Sequence, residues 1–147
     1  MAEFTYPADQ NVLYGQAALL ENEGAPCAFN CNRGGGITHT NGSGLVSVRG
    51  KRAYRCQFSC NIALAIGATV GQIAVALAVN GEVLPDTIAV ATPAAVGDYW
   101  NVSSFKIVEV PCGCCETVSV ENVSPAGEAT ANPEIVIRNL NLEVNPV

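Results

Sequence analysis

Between Tyr54 and Ile66 every second residue is apolar: Tyr54, Cys56, Phe58, Cys60, Ile62, Leu64, Ile66. The residues between them are Arg55, Gln57, Ser59, Asn61, Ala63 and Ala65. A strand sends successive side chains to opposite faces, whereas a helix would scatter these residues around its circumference, so the stretch predicts one long strand with a continuous apolar face. Its second face passes from polar at Arg55 to small at Ala65. A face of that kind either meets water or lets another backbone approach closely. Tyr54, Phe58 and Ile62 are therefore expected in the core or at a subunit interface.

The 147 residues suit one domain. Charged residues make up only 14%, against about 25% in ordinary globular chains, and the mean hydropathy is positive. No apolar run approaches the roughly 20 residues of a membrane helix, so no membrane partner is expected. The apolar surplus instead predicts burial against other protein, most simply in a stable oligomer.

Net charge is −6, unevenly placed. Arg49, Lys51, Arg52 and Arg55 fall within seven positions, while beyond Lys106 six glutamates face a single Arg138. A basic spot this small, with no aromatic interleaving, suits a solvated loop or an acidic partner surface better than a nucleic-acid groove, and no nucleic acid is expected. The N-terminus lacks a basic stretch followed by an apolar one, so synthesis in a cytosol without a signal peptide is expected. There the seven cysteines are expected to be reduced.

Residues 1–11 read as an extended arm, with Pro7 and Asp9 opposing regular structure. Short strand-like pieces follow at 12–14, 17–20 and 27–31, then a loop through Gly34, Gly35 and Gly36, whose entropy disfavours any regular element. Asn41-Gly42 and Asn80-Gly81 are tight-turn signals. Between them lie an alternating run from Leu45 to Arg49 and the long strand; then Ile73, Val75, Leu77 and Val79 alternate with Ala74, Ala76 and Ala78. A strand apolar on both faces belongs centrally or at an interface, which makes these three alanines interface or core candidates. Trp100, opening a strand over 99–110, is expected as a core or interface anchor. Strands over 117–123 and 134–142 close the chain. About eight to ten short strands without helical periodicity predict an all-β, two-sheet antiparallel sandwich.

Catalysis requires placed nucleophiles, bases or metals, and the pattern offers little. His39, the only histidine, has no partner at a suggestive spacing and reads as a turn or trimer-axis residue. The glycine run lacks the Lys-Ser/Thr and helix of a phosphate loop. Cys56 and Cys60 fall on the apolar face, where a thiol acts as a small hydrophobe. Cys27 and Cys31 share a spacing found in zinc knuckles, and Cys112, Cys114 and Cys115 crowd one turn. Residues four apart on a strand lie about 13 Å apart, so zinc would require a turn at 27–31. No cofactor or metal is expected, and a disulfide among these clusters remains open.

The order of elements is specific. The run Gly36-Ile-Thr-His-Thr-Asn-Gly-Ser-Gly44, the strand from Leu45, the strand from Tyr54 and the hairpin Ala76-Leu-Ala-Val-Asn-Gly81 resemble the tumour-necrosis-factor/complement-type jelly roll. Val118 to Ser124 and Ile135 to Leu140 match its closing strands in type and order. The resemblance covers residues 12–142 and implies a single jelly-roll domain at 12–147, assembled as a homotrimer with small-residue faces about the threefold axis. No Gly-x-y stalk and no secretion signal are visible, and the chain resembles small proteins encoded in prophages of gut Firmicutes. The expected role is therefore a non-enzymatic structural protein of a phage virion, a capsid decoration or head-fibre component. Its partners would be itself and the major capsid protein or a fibre component, with Phe4, Tyr6, Val12 and Tyr14 of the N-terminal segment docking on the lattice. The alternative is a lectin-like knob that binds a host-surface glycan.

Overall fold

The computed structural model describes residues 2–22, 36–111, 115–124 and 133–147. Twelve strands are found among them: β1 (Ala2–Tyr6), β2 (Gln10–Val12), β3 (Glu21–Asn22), β4 (Ile37–His39), β5 (Val46–Arg49), β6 (Arg52–Leu64), β7 (Ile73–Val79), β8 (Glu82–Val83), β9 (Ala89–Ala91), β10 (Trp100–Val110), β11 (Cys115–Asn122) and β12 (Ile135–Pro146), with a 3-10 turn at Pro85–Thr87. They form two six-stranded sheets. The first runs β10-β6-β12-β1-β3, with β2 also on β12; the second runs β4-β5-β11-β7-β8, with β9 also on β7. Every pairing is antiparallel.

The core follows from alternation. Tyr54, Cys56, Phe58, Cys60, Ile62 and Leu64 of β6 are fully buried, as are Val46, Val48, Ile73, Val75, Leu77, Val118 and Val120 of the facing sheet. Large side chains on both inner faces give each strand a reason to hold its register, because a one-residue slip would expose the whole set. The Tyr54 hydroxyl, carried inside, donates to the Arg49 carbonyl at 2.6 Å. Gly36 passes over that bond so closely that an added Cβ would stand 2.5 Å from the same carbonyl oxygen.

Alternation also explains the irregularity in β12. Ile135 and Ile137 point inward at odd positions, yet Leu140, Leu142 and Val144 are buried at even ones. The pairing with β6 shifts between Arg138 and Asn141, and Asn139 adopts φ +52° there. A bulge places one extra residue against the partner strand and so resets the phase. Its left-handed backbone is disfavoured for most side chains but tolerated by Asn.

The long strand matches its expectation within two residues at each end, but Ile66 falls in the following turn and is 99% exposed. Residues 1–11 differ from the expected arm. Residues 2–6 pair with 140–144 of β12, and 10–12 pair with 135–137. Phe4 and Val12 are buried. Pro7 and Asp9 lie in the short step between β1 and β2, so the proline interrupts the ladder without removing either strand from it. Asn122 helps to fix this region: its buried side chain donates to the carbonyls of Val12 and Pro133, both at 3.0 Å, and accepts from the Ser124 amide.

Candidate interaction surface

The outer face of the first sheet is set by the same parity that fills the core. β10 pairs with β6 from Trp100↔Ile62 to Val110↔Arg52. Because Phe58, Cys60 and Ile62 face inward, the odd residues of β10 face outward. Phe105 and Ile107 are therefore displayed, at 57% and 49% exposure. Ser103 pairs beside Ser59, and Phe105 beside Gln57, so the apolar pair sits among short or polar neighbours. The Arg55 guanidinium lies 5.2 Å from the centre of the Phe105 ring and donates to Gln57 Oε1 at 3.0 Å. A cation over an aromatic face is held by the ring quadrupole.

The free edge of β10 carries its own guard. Lys106 occupies an inward position, yet it is drawn out to pair with Asp86 of the 3-10 turn. A charge at an inward position of an edge strand opposes further strand addition. The hydrogen bond from Lys106 holds the Asp86 carboxyl below its ordinary range.

Toward the other end of this face, Asn101 donates to Asn61 at 3.0 Å. Arg138, across β6, grips Asp9 with Nε at 2.5 Å and Nη2 at 2.9 Å, and its guanidinium stacks 4.0 Å from the Tyr99 ring. The hydrogen bond from Arg138 keeps Asp9 below the usual carboxylate range. Partial burial, aided by the Asp9 charge, raises Tyr99. The pair is about half exposed on both sides, so it orders the β1–β2 step more than it stabilises the fold.

The residues singled out from sequence separate into distinct places. Tyr54, Phe58 and Ile62 lie in the core. Ala74, Ala76 and Ala78 are buried at 2%, 0% and 0% within one chain, so of the core or interface expected for them they take the core. Two of them pair with polar residues, Ala76↔Glu121 and Ala78↔Ser119; the Ser119 hydroxyl donates to Glu121 at 3.2 Å, and burial pushes the Glu121 carboxyl up. Trp100 is not a core anchor. It is 47% exposed at the start of β10, with its indole N–H donating to Asp98 at 3.3 Å. Of the expected docking set, Phe4 and Val12 are core, Tyr6 packs partly buried against it and Tyr14 is exposed.

Cys27, Cys31, Cys112 and Cys114 lie outside the described residues; Cys115 is exposed, and Cys56 and Cys60 are buried. Burial pushes both buried thiols up to about 12. His39 is on β4 and not in a turn. Its ring packs 4.8 Å from Phe4, with Nε2 2.8 Å from the Ser43 carbonyl oxygen, and burial lowers its pKa. Among the described residues no three His, Cys, Asp or Glu side chains gather to hold a metal. Sequence reading missed Phe105 and Ile107; the signal was the run from Trp100 to Val110, apolar at both odd and even positions.

The two-sheet arrangement has close counterparts in solved structures. The globular domain of the zebrafish complement 1qA protein aligns with a TM-score of 0.60 at 11% identity, covering 96% of this chain and 94% of that one. The Eiger TNF of S. frugiperda gives 0.63 at 12% identity, over 98% and 91%. The fold is a TNF/C1q-type jelly roll. Murine APRIL is similar as well, with a TM-score of 0.56, 10% identity and 98% of each chain covered. No family model and no curated protein matches the sequence. Within this jelly roll, the described residues bring together no nucleophile, base and acid in one cleft, and what stands out is an apolar pair on an open sheet face.

Proposed function

We propose that this chain is a non-enzymatic structural module that assembles with two copies of itself through the outer face of its first sheet. The observation that carries the reading is the display of Phe105 and Ile107 on β10, beside short side chains that let a second subunit approach. Full burial of a Phe or Ile side chain contributes roughly 1.5–3 kcal/mol. Each is about half exposed, so covering the remainder contributes about 1.5–3 kcal/mol per subunit for the two together. Repeated at three interfaces, that amounts to roughly 5–9 kcal/mol, a large part of a stable association.

The count of three rests on the sequence resemblance to the tumour-necrosis-factor/complement-type jelly roll. Placement in a phage particle, as a capsid decoration or head-fibre component, rests on the resemblance to small prophage-encoded proteins. Phe4 and Val12 are committed to the core, so attachment to a lattice falls to exposed turns, of which Leu13 and Tyr14 form one.

The test is sedimentation velocity of the wild type and of Phe105→Ser/Ile107→Ser. The expected result is a trimer that the double substitution dissociates while the sandwich stays folded; an unchanged trimer would remove this face from the assembly. Val90→Ser, an exposed apolar residue of the other sheet, is the control that should leave the trimer intact.

A further inference from the structure

We infer that the end of the sandwich where β6 stops and β10 starts docks a partner polypeptide that presents apolar side chains flanked by Lys or Arg. Three tight turns meet at this end. Across residues 13–16 the Gln16 amide donates to the Leu13 carbonyl at 3.0 Å; across 65–68 Ala68 donates to Ala65 at 3.1 Å, and across 95–98 Asp98 donates to Ala95 at 3.3 Å. The third residue of each is a glycine, at φ +73°, +87° and +81°, as a type II turn requires. The second, at the corner, is Tyr14, Ile66 or Val96, at 53%, 99% and 39% exposure. Residues 40–43 make a similar turn, with Gly42 at φ +84°, but carry Asn41 at the corner. The geometry therefore does not demand an apolar side chain there.

The sheet register gathers the corners. Val12 pairs with Ile135, and Ile135 with Leu64, so the turns after β2 and β6 leave the sheet two strand spacings apart, about 10 Å. Ala91 lies against Ile73 and Trp100 against Ile62, which brings residues 95–98 to the same end. Exposed Leu13, Val70 and Trp100 widen the patch. Its base is fixed: the Asn122 carbonyl accepts from the Gly15 amide at 2.9 Å, the Asn122 side chain holds Val12 and Pro133, and the Glu134 carbonyl accepts from the Ala65 amide at 3.3 Å. Corners held in place bind without an ordering cost. Charge selects the occupant. Among the described residues of these turns and strand ends, the charged side chains are Asp98 and Glu134. Arg49, Lys51, Arg52 and Arg55 lie toward the opposite end, and Lys106 and Arg138 are paired with Asp86 and Asp9. An apolar patch with acidic neighbours complements a basic-rimmed partner. It repels an anionic membrane, and against a second copy it would set like charges together.

The inference deepens the attachment assigned above to exposed turns and does not depend on the trimer, which sedimentation follows in parallel. The full chain is titrated calorimetrically with a 14-residue Leu/Lys amphipathic helix, with its Leu/Glu and Ser/Lys counterparts, and with phosphatidylcholine vesicles. The Leu/Lys peptide should bind at least tenfold more tightly than the other three. Tyr14→Ser/Ile66→Ser/Val96→Ser, which leaves the charge unchanged, should weaken it at least tenfold without changing the sedimenting species. In the wild type, amide shifts should centre on residues 13–16, 65–70 and 95–100, a readout that needs no variant. The inference is overturned if the Leu/Lys peptide fails to bind, if the Ser/Lys peptide matches it, or if vesicles bind more tightly. It is equally overturned if the triple variant binds undiminished, if the shifts map elsewhere, or if that variant loses a larger sedimenting species, which would make a second copy the occupant.

Discussion

Two single-residue deletions in β12, two positions apart, should differ widely in cost. Removing Asn139 takes out the residue that the bulge leaves over. Arg138 stays opposite Asn61 and Asn141 opposite Ser59, Leu140 moves squarely opposite Cys60, and every buried side chain of β12 keeps its face. Removing Asn141 leaves the same chain length, but the bulge must then be absorbed differently. Leu142 keeps its place against Phe58 only if Leu140 turns outward and Asn139 inward. Leu140 is 1% exposed, so turning it out forfeits roughly 1.5–3 kcal/mol. Burying an unpartnered amide costs roughly 1–3 kcal/mol more. The sum, about 3–6 kcal/mol, is comparable with the whole stability of many domains. With a urea dependence of about 2 kcal/mol/M, the two deletion variants should differ in midpoint by about 1.5–3 M. Equal midpoints, or a lower one for the Asn139 deletion, would refute the phase-resetting account.

Three further outcomes follow from local geometry. Gly36→Ala should lower stability by about 1–3 kcal/mol, because its methyl group meets the Arg49 carbonyl that receives the Tyr54 hydroxyl; a thermal midpoint equal to the wild type would contradict this. Two buried groups, His39 and Glu121, should give opposite pH dependences. His39, lowered from 6.5 by burial, favours the fold in its neutral form, so its contribution is complete above pH 6.5 and is lost as pH falls through the folded value. Glu121, raised from 4.5 by burial, contributes most below pH 4.5 and loses that contribution as pH rises through its folded value. Urea midpoints of Glu121→Gln between pH 4 and 8 should therefore exceed the wild type increasingly toward neutrality, and a constant gap would count against the assignment. Finally, Cys115 should react with a thiol reagent in the native state, while Cys56 and Cys60, buried and pushed up to about 12, should react only on unfolding; peptide mapping of the labelled protein distinguishes them.

The fold was legible where the physics is local. Alternation in Tyr54–Leu64 needs only the two-residue period of a strand, and Asn80-Gly81 turns as its left-handed backbone requires, at φ +52° and +78°. The N-terminal strands were not legible, because Phe4 and Val12 take their place from β12, more than 120 residues away in the chain. The bulge at Asn139 was hidden for a similar reason: a change of phase becomes visible only against the strand opposite. The surface was harder still. Alanines at 74, 76 and 78 were expected in the core or at an interface, because small side chains permit close approach; sequence cannot say whether that approach comes from the same chain, and here it does. Trp100 was expected in the core or at an interface; the end of an edge strand leaves its ring half exposed, so the core alternative falls.

The most direct test of the central claim is native mass spectrometry of the wild-type chain at micromolar concentration. The account predicts one dominant species of three 15.2 kDa chains. A monomer at that concentration would contradict it, leaving Phe105 and Ile107 without the self-contact proposed for them.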